Sequence, residues 1–158
     1  MSLWMQPEDF MRLVDLGPLV AIDLIVVNPK GELLVGKRTN RPAQGYWFVP
    51  GGRIAKGETL DAAFARITNA ELGRALDRGN ATLEGAWTHL YEDNFYGRPG
   101  ITTHYVVLGH RLDLDLDLAT LPVDQHGEYR WVAPSDAETA RADGIHDNTI
   151  AYFAALKR

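Results

Sequence analysis

The sequence predicts a single α/β (α+β) domain over residues 1–158, and three observations predict it. A chain of 158 residues with 46% hydrophobic and 23% charged residues can bury one core and is too apolar to stay disordered. Residues 19–27 form a nearly continuous apolar, β-branched run, the pattern of a strand covered on both faces. Residues 59–72 carry apolar positions at helical spacing, so strand and helix signals follow one another along the chain.

Taken in order, Pro7, Glu8 and Asp9 open a short helix through Phe10, Met11, Leu13 and Val14, with Gly17 past its end. Proline and acids suit a first helical turn. The strand at 19–27 reads as central. Asn28-Pro29-Lys30-Gly31 then turns the chain into a hairpin partner at 32–37. Residues 39–45, with Pro42, read as a polar loop, 46–49 as a short strand and Pro50-Gly51-Gly52 as its break. The helix at 59–72 is closed by Gly73. Two strands follow at 83–91 and 101–112, joined by a loop containing Asn94, Gly97, Pro99 and Gly100, and another short strand comes at 128–132. A last helix starts near Asp147 and Asn148, which can cap it, and runs through Ile150, Phe153 and Leu156. The alternating Asp and Leu of 113–118 read as an amphipathic edge or loop, because alternating carboxylates on a solvent face need no ligand. Trp4, Trp47, Trp87 and Trp131 read as packing residues.

Charge and composition narrow the function classes. A net charge of −5 argues against a nucleic-acid partner, since phosphate-backbone contacts need a basic surface. A small anionic ligand is still compatible, because one or two arginines and a metal ion can hold a pyrophosphate in an acidic protein. The absence of cysteine excludes disulfides, thiolate metal sites and cysteine nucleophiles. Residues 1–10 lack an apolar signal-peptide core, and the apolar run at 18–27 contains Asp23 and is too short to span a bilayer. The expectation is a cytoplasmic protein without a membrane partner.

The informative stretch is Gly51-Gly52-Arg53-Ile54-Ala55-Lys56-Gly57-Glu58 and the helix after it. At about 100° per residue, Leu60, Ala63, Phe64 and Ile67 make one apolar stripe. Glu71 falls four residues after Ile67 on the same stripe. A carboxylate on a buried face is costly unless paired or metal-bound. Two readings stand: a cation beside Glu71, or a side chain that reaches water from the last turn. Asp23, a charge inside an apolar strand, likewise needs a partner.

Gly52, Glu58, Arg66, Glu71 and Gly73 match the spacing of the Nudix box. That resemblance implies the Nudix fold, a mixed β-sheet sandwiched between α-helices, with a divalent ion and a diphosphate substrate. The box is altered, because Ile67 and Ala70 stand where the family pattern has acids. Several carboxylates hold more than one metal in ordinary Nudix enzymes, and the metals activate a water that attacks phosphorus. Glu71 alone suits one Mg²⁺, completed by oxygens from elsewhere. A single ion is better used to stabilise a departing diphosphate while a side-chain base directs water at carbon.

The altered box, the run from Gly36 to Arg53, Thr102-Thr103-His104-Tyr105 and Asp124-Gln125-His126 resemble the GDP-mannose mannosyl hydrolases, an atypical Nudix family. The resemblance implies Mg²⁺, one per subunit with Mn²⁺ as a substitute, held by Gly51 (through its carbonyl), Glu71 and Gln125. It implies His126 as general base, a role that an imidazole near neutrality suits; the residue itself is expected in a loop. Arg38 and Arg53 are implied at the pyrophosphate, where their forked donors match phosphate oxygens. Asp23, His89 and Tyr105 are implied near the substrate; a buried salt bridge for Asp23 and a core-facing ring for Tyr105 stay open. Arg66 reads as orienting Glu58 or Glu71. The implied reaction is hydrolysis of GDP-mannose, with GDP-glucose open as a further substrate, to GDP and free sugar by C–O cleavage with inversion. Two alternatives are a pyrophosphatase that cleaves at phosphorus and a non-catalytic ligand-sensing domain. The family tends to form homodimers.

Overall fold

The computed structural model describes residues 5–124 and 126–157. Its frame is a mixed seven-stranded sheet built around β1 (Leu19–Val27). On one side β1 runs parallel to β6 (Thr103–Asp113), which pairs antiparallel with the outer β5 (Thr82–Tyr91). On the other side β2 (Leu33–Arg38) leaves β1 after the hairpin and pairs with β3 (Trp47–Phe48) and β7 (His126–Val132). The gap that β2 leaves along β1 is filled by β4 (Gly51–Arg53), antiparallel to Ala21–Asp23. The sequence reads Pro50-Gly51-Gly52 as a break. Local propensity is overridden there because β1 offers an unpaired edge.

The run at 19–27 is continuous because both faces of β1 are covered. Ile22, Leu24 and Val26 pack on one face with Phe64 and Ile67 of α2 (Leu60–Leu72). Ile25 and Val27 face the opposite side, with Tyr152 and Phe153 at the C-terminal helices α4 (Asp147–Ile150) and α5 (Phe153–Leu156). This alternation puts a helical layer on each face and makes the sheet the filling of a sandwich. The first helix, α1 (Pro7–Leu16), packs Met11 and Val14 against Leu19 in a third, smaller cluster. Trp47 and Trp87 pack on the second cluster and Trp131 on the first, as read from sequence; Trp4 lies outside the described residues. Leu114, Leu116 and Leu118 pack on the first cluster while Asp113, Asp115 and Asp117 face outward, which accounts for the acidic alternation without a ligand.

Helix α2 is fixed at both ends. The Thr59 hydroxyl accepts a hydrogen bond from the Ala62 N–H at 3.1 Å, and Gly73 closes the last turn through its N–H to the Asn69 carbonyl. Thr59→Ala removes that cap and is expected to lower unfolding stability by about 1 kcal/mol, read as a reduced urea midpoint at unchanged slope. Its buried face comprises Ala63, Phe64, Ile67, Thr68, Glu71 and Leu72. Leu60, expected on that stripe, is 40% exposed because it lies in the first turn, at the rim of the core.

The C-terminal segment departs from expectation. One helix over 147–156 is instead two short ones, α4 and α5, and the His146 ring, not Asp147 or Asn148, accepts the capping bond, from the Asn148 N–H at 3.1 Å. A further helix, α3 (Ala137–Ala142), precedes them, capped by Asp136, whose Oδ1 accepts from the Thr139 N–H at 2.9 Å. Among the described residues no helix is long and apolar enough to cross a membrane.

Candidate active site

The site begins at the glycine turn. A Cβ on Gly51 would stand 2.5 Å from the Ile22 carbonyl oxygen and 2.6 Å from Asp23 Oδ1, so only glycine lets β4 lie this close to β1. The loop that follows is tied to α2 by a bidentate pair. Arg66 donates to both Glu58 oxygens, at 2.8 and 2.9 Å, and to the Arg53 carbonyl at 2.8 Å. Glu58 in turn accepts from the Ala55 N–H at 2.7 Å. The Arg66 hydrogen bond holds the Glu58 carboxyl below its usual range. Arg66 therefore orients Glu58, not Glu71.

Glu71 points inward from α2 and is 3% exposed, so it does not reach water. Its Oε2 has no hydrogen-bond partner among the described residues. Burial pushes its pKa up to about 7, against the opposing field of Arg38. His126 Nδ1 is 3.5 Å from that oxygen. Burial also holds the His126 imidazole down to about 4, so the acid and the ring face each other without forming an ion pair. His126 is the first residue of β7, not part of a loop, and it packs over Gly36, where a Cβ would come within 2.6 Å of the ring.

Asp23 lies on the opposite face of the sheet from Ile22. Tyr152 donates its hydroxyl to Asp23 Oδ2 at 2.5 Å, so the partner expected for this carboxylate is a hydrogen-bond donor, not a salt bridge. Burial pushes Asp23 up to about 7, opposed by the Tyr152 bond and by Arg38. His89 is buried and held down to about 4 by burial, and its Nε2 has no hydrogen-bond partner among the described residues. Burial raises the Tyr105 hydroxyl, which keeps its proton and can act as a donor.

One cavity of about 390 Å³ gathers most of these groups: Asp23, Arg38, Gly51, Arg53, Glu71, His89 and Tyr105 all line it. His126 is not among the lining residues and reaches the site through Glu71. Gln125 lies outside the described residues. The sequence reading missed other parts of the wall: Phe10, Arg41, Phe95 and Tyr96 line the same cavity, and Tyr152 braces Asp23 from below. The aromatic pair sits in the loop already marked by Asn94 and Gly97, but nothing local says which way that loop folds.

The residues present fit a divalent ion of the hard, oxygen-seeking kind. A buried carboxylate oxygen without a partner is costly unless a cation meets it, and Gly51 brings backbone into the same cavity. Among the described residues no group of three or more His, Cys, Asp or Glu could hold an ion together, and of the α2 residues that line the cavity, Arg66, Ile67, Ala70 and Glu71, one is acidic.

Fold and site together define the class. The NUDIX domain family profile matches residues 17–153, and the chain belongs to that family. It is a Nudix hydrolase, a class that generally works with divalent metals. The chain is 36% identical over 151 residues to the low-salt glycan biosynthesis protein Agl8 of Haloferax volcanii, a match covering 94% of this chain and 88% of that one. It is 30% identical over 124 residues to an RNA pyrophosphohydrolase of Novosphingobium aromaticivorans, covering 72% and 76%. Among solved structures, a MutT protein from Methanosarcina mazei has the same fold, with a TM-score of 0.66 at 18% identity over 90% of this chain and 96% of that one.

Proposed function

We propose that this Nudix hydrolase converts a GDP-sugar, GDP-mannose with GDP-glucose as a further candidate, to GDP and free sugar by breaking the C–O bond. The observation that carries the reading is the acid content of α2: Glu71 is the carboxylate on its buried face, with Ile67 and Ala70 at the neighbouring box positions. Likeness to a glycan-biosynthesis protein supports a sugar-bearing substrate. Mg²⁺, or Mn²⁺ in its stead, would be held by Glu71, the Gly51 carbonyl and Gln125. When bound, the ion neutralises charge on the diphosphate leaving group.

The chain's own residues do the rest. Arg38 and Arg53 hold the diphosphate oxygens with forked donors, and the Tyr105 hydroxyl donates to a phosphate or glycosidic oxygen. Asp23 and His89 contact the sugar. His126, uncharged at neutral pH, takes a proton from water as the water oxygen bonds to the anomeric carbon and the bond to the GDP oxygen breaks. A single displacement inverts that carbon. Cavity lining supports a second assignment of the base, because Asp23 faces the cavity directly whereas His126 reaches it through Glu71.

Hydrolysis in ¹⁸O-water tests the bond that breaks: the label is expected in the sugar, and label in phosphate, with GMP and sugar 1-phosphate as products, overturns the reading. His126→Ala is expected to lose turnover while still binding GDP with Mg²⁺. Turnover near that of the parent would pass the base role to Asp23.

A further inference from the structure

The cavity wall at Asp23 and Gly51 is gripped from outside by the C-terminal segment. These two residues face each other across the β1–β4 pair and both line the cavity, whereas Thr149 and Tyr152 do not. Two buried hydroxyls nevertheless reach the same wall. Thr149 Oγ1 accepts from the Val49 N–H at 3.4 Å, two residues ahead of Gly51. The Tyr152 hydroxyl donates to Asp23 Oδ2 at 2.5 Å. The backbone adds to the grip: the His146 N–H donates to the Trp47 carbonyl at 3.1 Å, and the Trp47 N–H donates to the Gly144 carbonyl at 3.0 Å. One segment therefore clasps both strands that present the Gly51–Asp23 contact.

Tyr152 is itself tightly placed. It is fully buried, and its ring meets Trp87 edge-on, at 90° with 4.9 Å between centroids. Its N–H donates to the Thr149 carbonyl at 3.0 Å, and its carbonyl accepts from the Ala155 N–H at 2.9 Å. The consequence lies in the other Asp23 oxygen. Oδ1 sits where a Cβ on Gly51 would come within 2.6 Å. A carboxyl turns about one soft bond, so a partner that fixes Oδ2 also fixes Oδ1. Without that partner the group can turn away from Gly51, and a buried oxygen loses its donor.

We propose that Tyr152 is a positioning residue for the reaction: acting through Asp23, its hydroxyl holds Oδ1 against Gly51 at the cavity wall. The inference deepens the proposed reading and rests on it in one respect, that Asp23 contacts the sugar that reacts. The hydroxyl touches no substrate. Its effect is on geometry, where a displacement of about 1 Å costs on the order of a hundredfold in rate.

Tyr152→Phe removes one oxygen and keeps the ring. With GDP-mannose and Mg²⁺, kcat per GDP-binding site, counted by calorimetry, is expected to fall by about tenfold to a hundredfold, with KM and GDP affinity within about twofold. A purely structural role would lower the melting temperature and leave kcat per site unmoved. A double-mutant cycle uses Asp23→Ala, which removes the acceptor; in that background Tyr152→Phe should change kcat by less than about twofold. In metal-free protein labelled with ¹³C-aspartate, the Asp23 carboxyl resonance should be single in the parent and broadened or doubled in Tyr152→Phe. Unchanged kcat per site, equal losses in the two backgrounds, a parallel loss of GDP affinity, or an unaltered carboxyl resonance would each overturn the positioning role. Full turnover in Asp23→Ala alone would overturn it together with the sugar contact assigned to Asp23. If the cycle is non-additive while ¹⁸O appears in phosphate, the positioning role stands and the C–O reading falls.

Discussion

Glu71→Gln is expected to reduce turnover by about a thousandfold, the scale on which losing a group that organises charge stabilisation is felt. The same change should not weaken the metal-free fold. Without a cation, the parent carries a carboxyl whose ionised form is disfavoured by burial on the inner face of α2, with one oxygen lacking a partner among the described residues. Glutamine has nearly the same shape and no charge to desolvate. Two measurements check the result together. Mg²⁺ should raise the melting temperature of the parent through binding to the folded state and leave that of the variant unmoved. Turnover with saturating Mg²⁺ should stay low in the variant. A variant that hydrolyses substrate normally, or one stabilised by Mg²⁺ as much as the parent, removes Glu71 from the metal site.

Asp23→Asn should have an effect of comparable size, visible in stability as a function of pH. In the folded chain the Asp23 carboxyl is pushed up to about 7, while an unfolded aspartate titrates at 3.8. Below the lower value both states carry the proton and the group favours neither. As pH rises the unfolded chain ionises first, so stability is lost progressively until the folded group also gives up its proton near 7. Asparagine has no such loss and keeps an oxygen for the Tyr152 hydroxyl. In chelator-treated protein the variant should therefore match the parent near pH 4 and exceed it by roughly 4 kcal/mol at about pH 8, in urea unfolding. A difference that is flat with pH, or one that favours the parent at alkaline pH, would mean that Asp23 is ionised and well compensated in the fold.

What could be read in advance follows physical range. The identity of α2, its closing glycine and the place of Glu71 on the apolar stripe are all set by residues within a few turns of one another, and they are legible, whereas the choice between burial and water for the Glu71 carboxylate is not. The strand at 19–27 and the outward aspartates of 113–118 were legible as well, because period-two and period-3.6 patterns are local. The strand at Gly51–Arg53 was not, because its residues favour a turn and only the edge of β1 recruits them. The bond between Asp23 and Tyr152 joins positions 129 residues apart, and no sequence spacing encodes it. His126 was marked by a motif, but its burial behind Glu71 comes from the pairing of β7 with β2, which is decided at the level of the sheet. Phe95 and Tyr96 lay in a loop whose direction depends on one buried asparagine, Asn94.

The bond from Tyr152 to Asp23 sets a timetable for biosynthesis. Chains emerge amino end first, so Asp23 of the first strand is made 129 residues ahead of the hydroxyl that braces it. Until residue 152 is free, the nascent sheet holds an acid with no hydroxyl to meet it. The cavity is thus completed only after Tyr152 has emerged, and a product cut short ahead of that tyrosine would keep the helix motif and still have an unfinished pocket floor.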